Sequence, residues 1–182
     1  MIHQLTKEAI ELLQQLISKQ SFSGEENETA LLIMQYFSHH RIPFESKNHN
    51  VWAKNKHFNP SKKTILLNSH HDTVKPNKGY TRNPLSPDIE EGKLYGLGSN
   101  DAGGCLVSLL ATFTYFYERN DLNYNLVLVA SAEEENSGLN GLNSMLSVIP
   151  EIDFAIIGEP TLMNLAISEK GLLVLDGEAE GT

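Results

Sequence analysis

Three stretches constrain the fold more than anything else in this chain. "TILLNSHHD" (64–72), "YNLVLVAS" (124–131) and "DFAIIGEP" (153–160) each hold a continuous apolar run rather than an alternating one. A strand with one wet face alternates; a strand covered on both faces does not. Helix-like segments lie between them. "AGGCLVSLLATFTYFYE" (102–118) reads as a long apolar helix, and "GLNGLNSMLSVI" (138–149) as a helix stopped by Pro150. The order β-α-β-α-β predicts an α/β fold with a mostly parallel sheet flanked by helices.

The flanking segments fit that plan. The first residues predict a helix with Thr6 as N-cap and Ile10, Leu13 and Ile17 on its inward face, beside Leu12 and Leu16. "SGEE" (23–26) has the form of a capping box, Ser23 with Glu26, opening a second helix that presents Ala30, Ile33, Met34 and Phe37. "NVWAK" (50–54) reads as a strand, and 75–93 as a loop rich in Pro, Asn and Gly. Strand character returns at 164–168, a turn follows at 169–171, and "LLVLDGEAE" (172–180) alternates as a last strand.

In an open parallel sheet the carboxyl ends of the strands share one edge, and ligand sites form there. The first buried strand runs into His70, His71 and Asp72, the second into Glu133, Glu134 and Glu135, and the third into Glu159. Asp101 ends "GLGSND" at the start of the long helix. Taken singly, each has an ordinary reading: a surface turn, a solvated acidic helix start, a tight turn. "GLGSND" also begins like a dinucleotide loop, but Asp101 stands where that loop needs its third glycine and would repel a pyrophosphate. Gathered on one edge, the acids repel one another and are costly to desolvate. A divalent cation removes that cost. His with Asp and Glu is a donor set for zinc, with cobalt or manganese as substitutes.

Composition narrows the partners. The chain has 182 residues, 40% apolar and 20% charged, with a net charge of −9, so no basic stripe is available for nucleic acid. A single cysteine, Cys105, excludes an internal disulfide and fits a reducing compartment. The first residues lack a signal-peptide pattern, and no apolar run approaches the roughly 20 residues of a membrane helix. A cytoplasmic protein without membrane or nucleic-acid partners is expected.

Four ordered motifs resemble the co-catalytic zinc amidohydrolases, the family of acetylornithine deacetylase, succinyl-diaminopimelate desuccinylase, aminoacylase and carboxypeptidase G. They are His70-His71-Asp72-Thr73-Val74, Gly96-Leu97-Gly98-Ser99-Asn100-Asp101, "EEENSGLNG" (133–141) and "GEPT" (158–161). The resemblance implies two divalent metal ions, most simply zinc. It makes His70, Asp101 and Glu159 ligands of one metal, Asp101 the bridge, and Glu135 a ligand of the second. Glu134 becomes the general base. Asp72 fixes the His70 tautomer, and His71 is non-ligating. The Glu triplet allows a second register, Glu133/Glu134, although "NSG" favours Glu134/Glu135. A cis Asp101–Ala102 peptide is also implied. Gly103 departs from the family, many of whose members carry Lys there, which weakens assignment to one subfamily.

The implied substrate is a small N-acyl amino acid, acetyl or succinyl, with the acetylornithine deacetylase branch of arginine biosynthesis nearest in look. A dinuclear aminopeptidase or dipeptidase and a non-catalytic metal-binding domain are the alternatives. Family members are longer and homodimeric. They insert a lid and dimerisation domain and then return to supply further histidines, whereas no histidine follows His71 here. Residues 1–176 therefore read as the N-terminal part of the zinc catalytic domain, and 177–182 as the junction to a lid absent from the chain. Little or no hydrolase activity is expected of this chain alone.

Overall fold

The computed structural model describes residues 1–168. Helices α1 (Ile2–Ile17) and α2 (Asn27–His39) come first. Strands β1 (Glu45–Lys47), β2 (Asn50–Lys54) and β3 (Thr64–His70) follow. A small hairpin, β4 (Ile89–Glu90) with β5 (Lys93–Leu94), precedes a kinked helical segment at Ser99–Gly104. Helix α3 (Cys105–Phe116), strand β6 (Asn125–Ser131), short helix α4 (Leu142–Met145) and strand β7 (Phe154–Ile157) complete the described elements.

The five-stranded sheet has the order β1-β2-β6-β3-β7. β6, β3 and β7 run parallel, and β1 and β2 add antiparallel strands at the other side. The α/β fold with a mostly parallel sheet is as expected. β6 is buried along its whole length and serves both faces. Leu126, Leu128 and Ala130 join Phe37, Phe113, Ile33 and Leu110 under α1, α2 and α3. Val127 and Val129 turn the other way and meet Trp52, Leu66, Met145 and Ile149. That period-two split across a continuous apolar run is why the strand shows no alternation in sequence.

Several local expectations are corrected. α1 begins at Ile2, and the Thr6 hydroxyl donates back to the Ile2 carbonyl inside the helix instead of capping it. Its inward stripe is Ala9, Leu12, Leu13, Leu16 and Ile17, a run at helical spacing, while Ile10 is exposed. The Ser23–Glu26 capping box does not form, since both side chains bond elsewhere. The loop at 75–93 contains the β4–β5 hairpin, turned by Glu91 and Gly92 at positive φ.

The helix expected over 138–149 shrinks to Leu142–Met145. Upstream of it, the Glu133 carboxylate accepts from the Asn140 amide and holds that stretch as a turn. Among the described residues β7 is the end strand of the sheet, with Phe154, Ile156 and Ile157 exposed rather than buried. Residues 164–168 form no strand, and the turn at 169–171, the strand at 172–180 and the junction at 177–182 lie outside the described residues.

Candidate metal centre

The parallel register of β6, β3 and β7 brings their carboxyl ends to one edge. His70 is the last residue of β3, the Glu133–Glu135 turn follows β6, and Glu159 follows β7. Pairing continues past the end of β7, where the Gly158 amide donates to the Asn68 carbonyl at 2.7 Å. Ser69 Oγ donates to the Gly158 carbonyl at 2.8 Å, fixing the backbone beside Glu159. Asp101 arrives from the side, at a cis Asp101–Ala102 peptide in the kinked segment before α3.

The buried His70 imidazole is the centre of the group. Its Nδ1 lies 3.0 Å from the Asp72 carbonyl and 3.3 Å from Asp72 Oδ1, both acceptors, so Nδ1 carries the hydrogen. Nε2 then faces Asp101 Oδ1 at 3.2 Å, Glu134 Oε2 at 3.8 Å and Glu159 Oε2 at 3.9 Å. One donor atom each from His70, Asp101 and Glu159 lie within 4.8 Å of one another. Among the described residues this is the one cluster of three or more such groups with that spacing.

Charge repulsion is visible in the acids. Burial, with Glu134, Asp101 and Glu135 nearby, pushes the Glu159 carboxyl up to about 7 against the pull of His70. Glu135 is raised as well, by burial and then by Asp101. His70 is lowered by burial, but Asp72, Glu159 and Glu134 outweigh that and raise it to about 9. The cluster thus calls for positive charge on its axis, and a divalent cation supplies it as well as a proton does. A His–Asp–Glu donor set with its imidazole oriented from behind fits zinc.

Asp72 is fully buried, and its carboxylate lies on the Nδ1 side of His70. Its carboxylate accepts from the Glu134 amide at 3.1 Å, the Glu135 amide at 3.1 Å and Ser23 Oγ at 2.7 Å. Burial raises its pKa, but the bonds from His70, Ser23 and the two amides lower it to about 2, so it stays ionised. His71 is buried away from the donors, with Nδ1 on the Thr29 hydroxyl at 2.8 Å and Nε2 on the His49 carbonyl at 3.2 Å.

Within the Glu triplet, Glu133 is tied to Asn140. Glu133 Oε1 and Oε2 accept from Asn140 Nδ2 and the Asn140 amide at 3.0 and 3.1 Å, which turns Glu133 away. Glu134 Oε2 comes to 3.8 Å from His70 Nε2, and Glu135 is close enough to Asp101 and His70 to feel their charges. At position 103, an added Cβ would stand 2.5 Å from the Gly98 carbonyl oxygen and 2.7 Å from Leu13 Cδ1. Glycine, rather than a longer residue, is what this close approach of backbone and α1 accepts. Sequence reasoning missed Glu26 and His49 behind the cluster. The signal was present in "SGEE", but its spacing has the form of a helix cap.

No helix among the described residues is long and apolar enough to cross a membrane. The sequence matches the family model described as peptidase family M20/M25/M40 over residues 66–170. It is 28% identical over 173 residues to succinyl-diaminopimelate desuccinylase of Blochmanniella floridana, covering 88% of this chain and 45% of that protein. It is 34% identical over 110 residues to acetylornithine deacetylase of Proteus mirabilis, covering 60% of this chain and 28% of the relative. The chain thus spans less than half the length of these curated relatives. The fold resembles the M20 family metallo-carboxypeptidase Sso-CP2 of Sulfolobus solfataricus, with a TM-score of 0.65, 26% identity, and coverage of 85% of this chain and 37% of that one. With all four motifs inside a match that takes in more than half of its residues, the chain belongs to peptidase family M20/M25/M40.

Proposed function

We propose that this chain contributes the front part of a metal-dependent amidohydrolase that cleaves the amide bond of an N-acyl amino acid. The observation that carries the reading is the approach of Asp101, Glu134 and Glu159 carboxylates to one imidazole nitrogen of His70. In this reading His70, Asp101 and Glu159 would hold one metal, and Asp101 and Glu135 would contribute to a second. Zinc is the first candidate, with cobalt or manganese as substitutes. When bound, such ions polarise an amide carbonyl and let water act as a nucleophile near neutral pH.

The chain's own residues do the rest. Glu134, near the donors but outside their tightest trio, takes a proton from the attacking water. It returns that proton to the amide nitrogen as the carbon–nitrogen bond breaks, giving a free amine and a carboxylate. Asp72 holds His70 by Nδ1 and fixes the Glu134 and Glu135 amides, so both sides of the site share one support. Residues 1–176 form the front of the catalytic domain, and 177–182 lead towards a lid and dimerisation domain. The substrate class, an acetylated or succinylated amino acid, is supported by the desuccinylase and deacetylase relatives. The metallo-carboxypeptidase fold match favours peptide cleavage as the second reading.

Amine release by a zinc-loaded form extended to the length of the relatives separates the two. N-acetyl and N-succinyl amino acids should be cleaved at least about tenfold faster than dipeptides, a difference of roughly 1.4 kcal/mol in transition-state binding. Preferential cleavage of dipeptides would establish the peptidase reading instead.

A further inference from the structure

We propose that Glu26, together with His49 and Ser23, positions the turn that carries Glu134 and Glu135, and that "SGEE" serves this turn rather than the start of α2. The functional part of this proposal rests on the roles given above to Glu134 and Glu135.

Glu26 is completely buried. A buried carboxylate is costly unless donors meet it, and an apolar residue of similar shape would ordinarily be no worse for stability. Here the donors are specific. Glu26 Oε1 accepts from the Gly24 amide at 2.8 Å and the Glu133 amide at 3.0 Å. Oε2 accepts from His49 Nδ1 at 3.0 Å. Asp72 takes the next two amides of the turn, those of Glu134 and Glu135. Three successive backbone N–H groups are therefore each held by a buried carboxylate.

The turn needs holding. Glu133 sits at φ 53°, in the left-handed region that a non-glycine residue adopts at a cost. His49 is strained in the same sense. It stands at φ 64° after Asn48 at φ 50°, in the two-residue β1–β2 turn where glycine is the usual second residue. A glycine there would supply no ring for Glu26. The His49 carbonyl also accepts from His71 Nε2, so the strained residue is fixed from both sides.

The leading segment is anchored to the site as well. The Thr73 amide donates to the Ser21 carbonyl at 2.8 Å, and Ser23 Oγ donates to Asp72. Residues 21–26 thus form a strap that joins both carboxylates. Groups behind a metal site of this kind typically matter about 10- to 100-fold in affinity.

The test combines amide hydrogen exchange with zinc affinity in Glu26→Gln, Glu26→Ala and His49→Ala. In Glu26→Ala, exchange at the Glu133, Glu134 and Glu135 amides should rise at least about tenfold while the β6 amides keep their protection. Zinc should bind about 10- to 100-fold more weakly. Glu26→Gln retains one acceptor oxygen and should fall between wild type and Glu26→Ala. His49→Ala provides the same readout if Glu26→Ala does not fold. Unchanged exchange in the turn overturns the proposal, as does a rise shared equally by β6, which would mark a merely structural role. A faster-exchanging turn with unchanged zinc affinity also overturns it. Failure of the wild-type protein to bind zinc would sink the hydrolase reading instead, leaving exchange to judge the strap.

Discussion

Glu134→Gln, made in a zinc-loaded form of full family length, should leave the metal content unchanged and lower turnover of an N-acyl amino acid about 10²- to 10⁴-fold. The carboxamide has the shape of the carboxylate but cannot take a proton from water. The donor trio of His70, Asp101 and Glu159 does not include Glu134, so the change leaves those groups in place. The turn is also unaffected, because its backbone is held through amides rather than through the Glu134 side chain. The measurement is kcat beside metal analysis on the same sample. Retained turnover would move the base to Glu133 or demand another mechanism. The first of these would require Glu133 to release Asn140.

Asp72→Ala should have the largest structural effect of any single change at the site. Asp72 is fully buried and accepts from Ser23 Oγ and from the Glu134 and Glu135 amides. It also lies against His70 Nδ1. Alanine leaves those donors without their partner. These three bonds are part-buried, so each stranded donor costs near the low end of the usual range, about 1 kcal/mol, and a total loss of roughly 3 kcal/mol is expected. Chemical denaturation reads that loss directly. Zinc affinity should fall about 10- to 100-fold, because the imidazole and the Glu134–Glu135 turn lose their common support. A variant with wild-type stability would mean that the Asp72 bonds are weaker than their geometry indicates.

Much of the site was readable in the residues because a parallel sheet converts sequence order into position. Once "TILLNS", "LVLVAS" and "FAIIG" are taken as neighbouring parallel strands, His70, Glu134, Glu135 and Glu159 must share an edge. Asp101 was legible from its place at the opening of α3. What escaped depends on packing. β7 has the sequence of a covered strand but is the end strand of the sheet among the described residues, and an apolar run states a preference for burial without naming what buries it. Ile10 is exposed because a helical stripe can be drawn at neighbouring phases until the partner surface selects one, and Thr6 lies inside α1 because the helix starts about a turn earlier, at Ile2. Ser23 and Glu26 have the spacing of a cap, yet their side chains serve residues far away in the chain. Local pattern carries no term for such partners.

Zinc bound per folded chain, measured after chelation and reconstitution beside an Asp101→Ala control, decides whether the strand-end groups and Asp101 hold a metal. Asp101 is half exposed and lies outside the core, so its loss should not disturb the fold. Tight zinc is expected on the wild-type chain and its loss in the control, with unchanged circular dichroism. Zinc held equally well without Asp101, or no zinc on a folded wild-type chain of full family length, would contradict the claim that these strand-end groups form a metal centre.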